Sequence, residues 1–427
     1  MALPLLLTKL LIHLGVAKHL PGVQQGLNGG ADFLRYYSNR LLLSPLNQLP
    51  DVATFVERHA PDVLDLALGV PAFDATPYAS TRLTADRGGW PSVSGLPELR
   101  TAVAAKLLDD NCVAVDPEHE VLISAGALGA VQTVLDAFVN AGDNVVLLDP
   151  TAPLYSLLAR TRGARLRWLT TWMEDGRTRF RLDQLARALG KARLLILASP
   201  GNPTGGVVAP EDLEQIVWWA NRRDVLILSD EVFERFHHDH EPVSIASLPG
   251  ARERTLTIGS VSKGHGLASA RVGWIAGHRH LLQPCMATAA LRTPFVPAVC
   301  QQIAMAALQN DPGSMEEMRD ALAARRRYVF ERLRNLELNA PWPAGAFFFW
   351  IPVWELGLSG RAFAEALLRE QKVRLTPGDL FGPSGVGYIR LSYAIDEGRL
   401  QEALNRLATF VEGLRGREQA KALQRAA

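Results

Sequence analysis

Between residues 121 and 276, short apolar runs alternate with segments of helical length. The runs cover 121–124, 144–148, 165–169, 193–198, 225–229, 256–259 and 272–276. Each is strand-sized and mostly apolar, as a strand covered on both faces must be. This alternation predicts an α/β fold, with a mostly parallel seven-stranded sheet covered by helices. Ligands of such sheets sit outside the carboxyl ends of the strands. Chemistry is therefore expected in the residues that follow each run.

The pattern changes on either side of this block. Residues 313–337 read as one long charged helix, 344–350 as a strand entering a smaller α+β domain, and 415–427 as a solvated helical tail. Residues 3–16 are apolar-rich but interrupted by Lys9 and His13 at i,i+4 spacing. No basic segment precedes them and no small-residue cleavage site follows. An amphipathic arm docked on the body or on a partner is expected, with a membrane-surface helix as the alternative. The run is too short and too interrupted to span a bilayer. The expected division is residues 1–60 as arm or part of the small domain, 61–310 as the large cofactor-binding domain and 311–427 as the C-terminal small domain.

Composition narrows the function classes. The 427 residues are 48% hydrophobic and carry a net charge of +1, so neither nucleic acid nor an acidic membrane is an expected partner. Cys112, Cys285 and Cys300 form no paired or metal-binding spacing, and their odd number speaks against a disulfide framework. A reducing cytoplasm fits. His237, His238 and His240 flank Asp239, which reads as an exposed polar loop or, less simply, a metal site. No metal is expected.

The segments after the runs carry the chemistry. After the first, Ser124-Ala-Gly126-Ala127-Leu128-Gly-Ala130 opens a helix with small residues. Its N–H groups and dipole suit a phosphate, although small residues also suit tight packing. After the fourth run comes Ser199-Pro-Gly-Asn202-Pro-Thr-Gly205, a tight loop offering an amide donor. After the fifth comes Ser229-Asp230-Glu231-Val-Phe233. After the sixth, Lys263 is crowded by Ser260, Ser262, Gly264 and Gly266, with Arg271 eight residues on. A flat cofactor can approach such a lysine, whose amine near hydroxyls and a cation suits Schiff-base chemistry.

The stretch from Ser260 to Gly273 resembles the Ser-x-Ser-Lys-(x7)-Arg-x-Gly signature of fold-type I enzymes dependent on pyridoxal 5'-phosphate (PLP), the aspartate aminotransferase superfamily. The resemblance spans about residues 66–394 and keeps the family's motif order. It implies that Lys263 forms the Schiff base and that Ser260 and Arg271 hold the cofactor phosphate. The phosphate cup falls on Gly126, Ala127 and Leu128. Asn202 is implied to meet the phenolate oxygen, and Asp230 the pyridine nitrogen. Arg390, in Tyr388-Ile-Arg-Leu-Ser-Tyr393, is implied to grip the substrate carboxylate, with Gly69 of Gly69-Val-Pro-Ala-Phe73 beside it. Pro377-Gly-Asp-Leu-Phe-Gly382 matches the motif that precedes it. A homodimer is implied as well.

Three positions depart from the family's pattern. Trp90, before Pro91 and Gly95, stands where a tyrosine reaches the neighbour's cofactor phosphate. Ala152, in Asp149-Pro-Thr-Ala-Pro-Leu-Tyr155, stands where an aromatic stacks on the pyridine ring, and Tyr155 is a candidate for lining or for core. Phe233 stands where a tyrosine hydroxyl meets the phenolate oxygen. Losing that donor should hold the Schiff-base proton to higher pH. The expected reaction moves the amino group of an α-amino acid to a 2-oxo acid. The alternative is another PLP reaction on an amino acid, as a lyase, oxidase or β/γ-replacement enzyme of secondary metabolism. Arg292 is either a side-chain-carboxylate arginine offered to a partner subunit or an interface or surface residue.

Overall fold

The computed structural model describes residues 62–69, 91–309 and 314–426. Trp90 and the N-terminal arm lie outside the described residues.

The large sheet has the order β2-β10-β9-β8-β6-β3-β4-β5-β7. Its strands are β2 (Val121–Ser124), β3 (Asn144–Asp149), β4 (Arg165–Glu174), β5 (Arg177–Phe180), β6 (Ala192–Ala198), β7 (Val207–Val208), β8 (Leu226–Asp230), β9 (Thr255–Ser260) and β10 (Gly273–Gly277). All seven expected strands are present, and β5 and β7 extend the sheet at one edge to nine. Neither was legible as an apolar run. β5 buries only Thr178 and Phe180, while its two arginines stay partly exposed, and β7 has two residues. The pairs β4–β3, β3–β6, β6–β8 and β8–β9 are parallel, whereas β10 runs antiparallel to both β9 and β2.

Alternate residues of the central strands feed two different cores. Val145, Leu147, Leu194, Ile196 and Leu228 enter one. Val146, Leu148, Leu195, Leu197 and Ile227 enter the other. A period-two pattern that is apolar in both phases is what a doubly covered sheet requires. Among the covering helices are α1 (Pro97–Asn111), α2 (Gly126–Phe138) and α3 (Pro153–Thr161). The single-turn α4 (Val261–Gly264) follows β9.

The C-terminal part builds its own core around an antiparallel sheet of β11 (Phe348–Pro352), β14 (Tyr388–Ser392) and β13 (Thr376–Pro377). The long helices α5 (Ser314–Asn335) and α6 (Glu397–Ala426) accompany it, contributing Leu322, Val329, Leu404 and Leu407 to that core. β1 (Leu64–Asp65) pairs in parallel with β12 (Val373–Arg374), and Leu64 and Leu66 join the same core. The strand expected from residue 344 begins only at Phe348. Before it, the N–H of Gly345 goes to the carbonyl of Gly205 and that of Ala346 to the carbonyl of Phe236, and Ala346 has φ +53°. These bonds tie the segment to the large sheet's loops and take it out of the ladder. Among the described residues, no helix is long and apolar enough to cross a membrane.

Candidate active site

The carboxyl ends of β6, β8 and β9 converge on one face of the large sheet, where β14 approaches from the smaller one. A cavity of about 960 Å³ lies there. Of the described residues singled out above, Gly69, Ala127, Leu128, Ala152, Tyr155, Asn202, Asp230, Phe233, Ser260, Lys263, Arg271 and Arg390 line it, whereas Gly126 and Arg292 do not.

Lys263 is carried on α4. That turn is capped by Ser260, whose Oγ accepts from the N–H of Ser262 at 3.0 Å and lies 3.0 Å from the carbonyl of Val272. The Lys263 amine donates to the carbonyl of Gly69 and sits 6.0 Å from the centre of the Phe233 ring. Burial, then the charges of Arg390 and Arg271, lower its pKa to about 8, with Asp230 opposing. Its neutral, nucleophilic fraction at pH 7 is thereby raised roughly 300-fold over an ordinary lysine's.

Asp230 ends β8 and is only 5% exposed. Its Oδ2 accepts from the hydroxyl of Tyr155 at 2.5 Å and its Oδ1 from the N–H of Val232 at 3.1 Å. Burial pushes its pKa up, while these bonds and the Lys263 charge pull it back. Tyr155 therefore both lines the cavity and fills space under it.

Arg390 stands on β14 and is 2% exposed. It donates to the carbonyl of Ala67 at 2.5 Å, to Thr376 Oγ1 at 3.3 Å and to Asn202 Oδ1 at 2.7 Å. Its guanidinium lies 4.4 Å from the centre of the Phe348 ring and 5.0 Å from that of Phe381. Burial lowers its pKa to about 9, which leaves it charged at neutral pH. With Asn202 Oδ1 engaged by Arg390, the amide NH₂ of Asn202 remains as a donor.

At the other side of the cavity, α2 starts after Ala125 without a side-chain cap. The amides of Ala127 and Leu128 thus belong to an uncapped helix N-terminus, where an anion is stabilised. Arg271, with φ +54°, lays its guanidinium against Gly126 so closely that a Cβ there would stand 2.4 Å from Nη2. Helix N-terminus, guanidinium and the Ser260 and Ser262 hydroxyls together form a cradle suited to a phosphate-sized anion. The cavity thus brings together an anion cradle, the buried Asp230 carboxylate, the Lys263 amine and the buried Arg390 guanidinium.

Phe233 offers no donor. It packs edge-on against Phe347 and Phe348, with centroids 5.4 and 5.6 Å away. Ala152 lines the cavity, half-buried, as the residue preceding α3. Trp168, Pro383 and Val386 also line it, and sequence reasoning had not singled them out. Nor had it found the supports of Arg390, since Ala67 lies 323 positions away and acts through its backbone. Arg292 does not reach the cavity; its Nε pairs with Asp136 Oδ2 at 2.7 Å. His237 and His240 lie beside Arg319 and Arg177, at 3.3 and 3.4 Å. Burial and Arg326 push His238 down to about 4. Among the described residues, no group of three or more ligating side chains comes together as a metal site.

Known proteins match this arrangement over most of the chain. The sequence model of the family "aminotransferase class I and II" matches residues 61–407. An aspartate aminotransferase of Pyrococcus abyssi is 34% identical over 373 residues, covering 85% of this chain and 94% of that protein. An arginine–pyruvate transaminase of Pseudomonas aeruginosa is 33% identical over 362 residues, covering 83% and 91%. The crystal structure of an aromatic aminotransferase from Pyrococcus horikoshii superposes with a TM-score of 0.79 at 32% identity, covering 86% of this chain and 99% of that one. The chain belongs to the aminotransferase class I and II family and is an enzyme of the aminotransferase class.

Proposed function

We propose that the cavity holds PLP joined to Lys263 and that the enzyme moves the amino group of an α-amino acid to a 2-oxo acid. The observation that carries this reading is a buried lysine amine, lowered to about 8, sharing one cavity with Asp230, Arg390 and an anion cradle. When bound, the cofactor supplies an electron sink for charge developing at Cα. The uncapped amides of Ala127 and Leu128, with Ser260 and Arg271, hold its phosphate, and Gly126 keeps the guanidinium close. Asp230 pairs with its ring nitrogen, and Asn202 donates to its phenolate oxygen.

Arg390 receives the substrate α-carboxylate as a planar fork, with Gly69 beside it, and so orients Cα toward Lys263. Lys263 Nζ, when not joined to the cofactor, would be the base that takes the Cα proton and gives it back. The relatives' names span aspartate, aromatic and arginine substrates. They share the α-carboxylate end and differ in the side chain, which this reading leaves to the outer cavity wall.

A homodimer and a division into large and small domains near residue 310 form part of the proposal. The three free cysteines accord with a reducing cytoplasm.

The test is a single half-reaction. Purified protein is loaded with PLP and given single amino acids without any oxo acid. One equivalent of the matching oxo acid per site is expected. Continuous ammonia release, or no oxo acid from any amino acid, would overturn the reading.

A further inference from the structure

Asp230 has to act as an anion in a place where burial favours its neutral form. Among the described residues, Tyr155 is the only side chain that hydrogen-bonds its carboxylate, at 2.5 Å. The other bond, at 3.1 Å, comes from the backbone of Val232. Tyr155 is 6% exposed and lines the same cavity.

Its position is set from two directions. It lies in the first turn of α3, just after the end of β3. There the N–H of Thr151 donates to the carbonyl of Phe381 at 2.8 Å, and Asp149 accepts from the hydroxyl of Ser384 at 2.8 Å. A phenol anchored this way presents its donor at a fixed point and stays protonated, because burial and the Asp230 charge raise its pKa well above the usual value.

Few other charges face Asp230. Lys263 favours its ionised form and Glu234 opposes it. Glu231, next in the chain, is turned away to the hydroxyls of Ser229 and Ser244 and the amide of Asn111. Glu234 is itself bonded to Lys106 and Asn111.

We propose that Tyr155 is a positioning residue for the amino-group transfer. Its hydroxyl fixes the Asp230 carboxylate at the cavity wall and keeps it charged for the cofactor's ring nitrogen. This rests on the reading of function above. Nothing in the spacing of the sequence assigns Tyr155 such a role; the bond to Asp230, 75 positions away, does.

The test is Tyr155→Phe, which removes one oxygen and keeps the ring. The readout is the dissociation constant of PLP, measured from pH 5 to 9. A charge-assisted hydrogen bond of the usual strength corresponds to about one to two pH units in the proton affinity of Asp230. The variant should bind PLP roughly 10-fold or more weakly on the acid limb of the profile, with that limb moved up by about that interval. Its affinity should converge on wild type toward the alkaline end, where ionisation of Asp230 no longer depends on the donor. A loss by the same factor at every pH would mean simple packing and would overturn the proposal, as would an unchanged profile.

Should Tyr155→Phe alone fail to fold, the double variant with Asp230→Asn removes the charge that needs the donor. It should bind PLP as Asp230→Asn alone does, and a further loss would overturn the proposal. Wild-type protein that takes up no PLP at all would overturn the functional reading and this one together. Wild-type uptake with an unaltered variant overturns this one alone.

Discussion

Gly126→Ala is the substitution that best separates the anion cradle from the fold around it. Gly126 has φ +71° and is buried at the start of α2. A side chain in that backbone region costs about 1–2 kcal/mol. A second effect adds to it, because the new Cβ would stand 2.4 Å from Arg271 Nη2 and 2.9 Å from its Cζ. The guanidinium has to retreat by about 1 Å to restore ordinary contact. If Arg271 holds the cofactor phosphate, a charge-assisted bond of about 1.5–3 kcal/mol is weakened or lost, roughly 10- to 100-fold in PLP affinity. Gly142→Ala supplies the control. Gly142 has φ +92°, but a Cβ there meets nothing within 4 Å. Both apoenzyme variants should melt a few degrees below wild type, whereas only Gly126→Ala should lose affinity for PLP in a fluorescence titration. Unchanged affinity in Gly126→Ala, or an equal loss in Gly142→Ala, would refute the assignment of the cradle.

Three further outcomes follow from the same geometry. Arg390→Lys keeps a charge between the Phe348 and Phe381 rings but loses the planar fork, so KM for the amino acid should rise roughly 10- to 100-fold with PLP affinity unchanged; a parallel loss of PLP affinity would count against it. In the apoenzyme, the Lys263 pKa of about 8 lies below the unfolded value near 10.4. The unfolded chain therefore binds more protons between those values, and stability rises with pH across that window. Lys263→Met should then melt above wild type at pH 7, with the gap narrowing from pH 8 toward 10, and a constant gap would sink the argument. Phe233→Tyr adds a donor near the Lys263 amine, so the pH-dependent absorbance transition of the PLP-loaded enzyme should fall by about one unit; an unmoved or rising transition would refute it.

The central strands β3, β6 and β8 were legible because each is apolar in both phases, as a doubly covered sheet demands, and β4 because Leu166, Trp168 and Leu169 offset Arg165 and Arg167. β5 escaped because Arg177 and Arg179 occupy one of its phases. Lys263, Asp230 and Asn202 follow strands, where a parallel sheet concentrates its chemistry, and the resemblance of their motifs to the family's singled them out. What holds them was not. The carbonyl of Gly69 that receives Lys263 and the carbonyl of Ala67 that receives Arg390 are backbone atoms, and any residue supplies a carbonyl. Thr376 and Tyr155 act through hydroxyls whose targets lie 14 and 75 positions away, and no periodicity encodes such a pairing.

The two departures within the described residues also take on a different meaning in three dimensions. From sequence, Ala152 and Phe233 look like losses from a cofactor site. In the structure, Phe233 is locked edge-on between Phe347 and Phe348, and Phe348 also lies against the Arg390 guanidinium. Ala152 and Phe233 line the same cavity, and Phe347 and Phe348 back Phe233 from the buried core. The polar groups keep their own networks: Asp230 with Tyr155, Asn202 with Arg390, Lys263 with Gly69. Buried polar groups left unpaired are costly, and here those the proposed chemistry needs keep their partners. That combination favours retained amino-group transfer with an altered space for the substrate side chain.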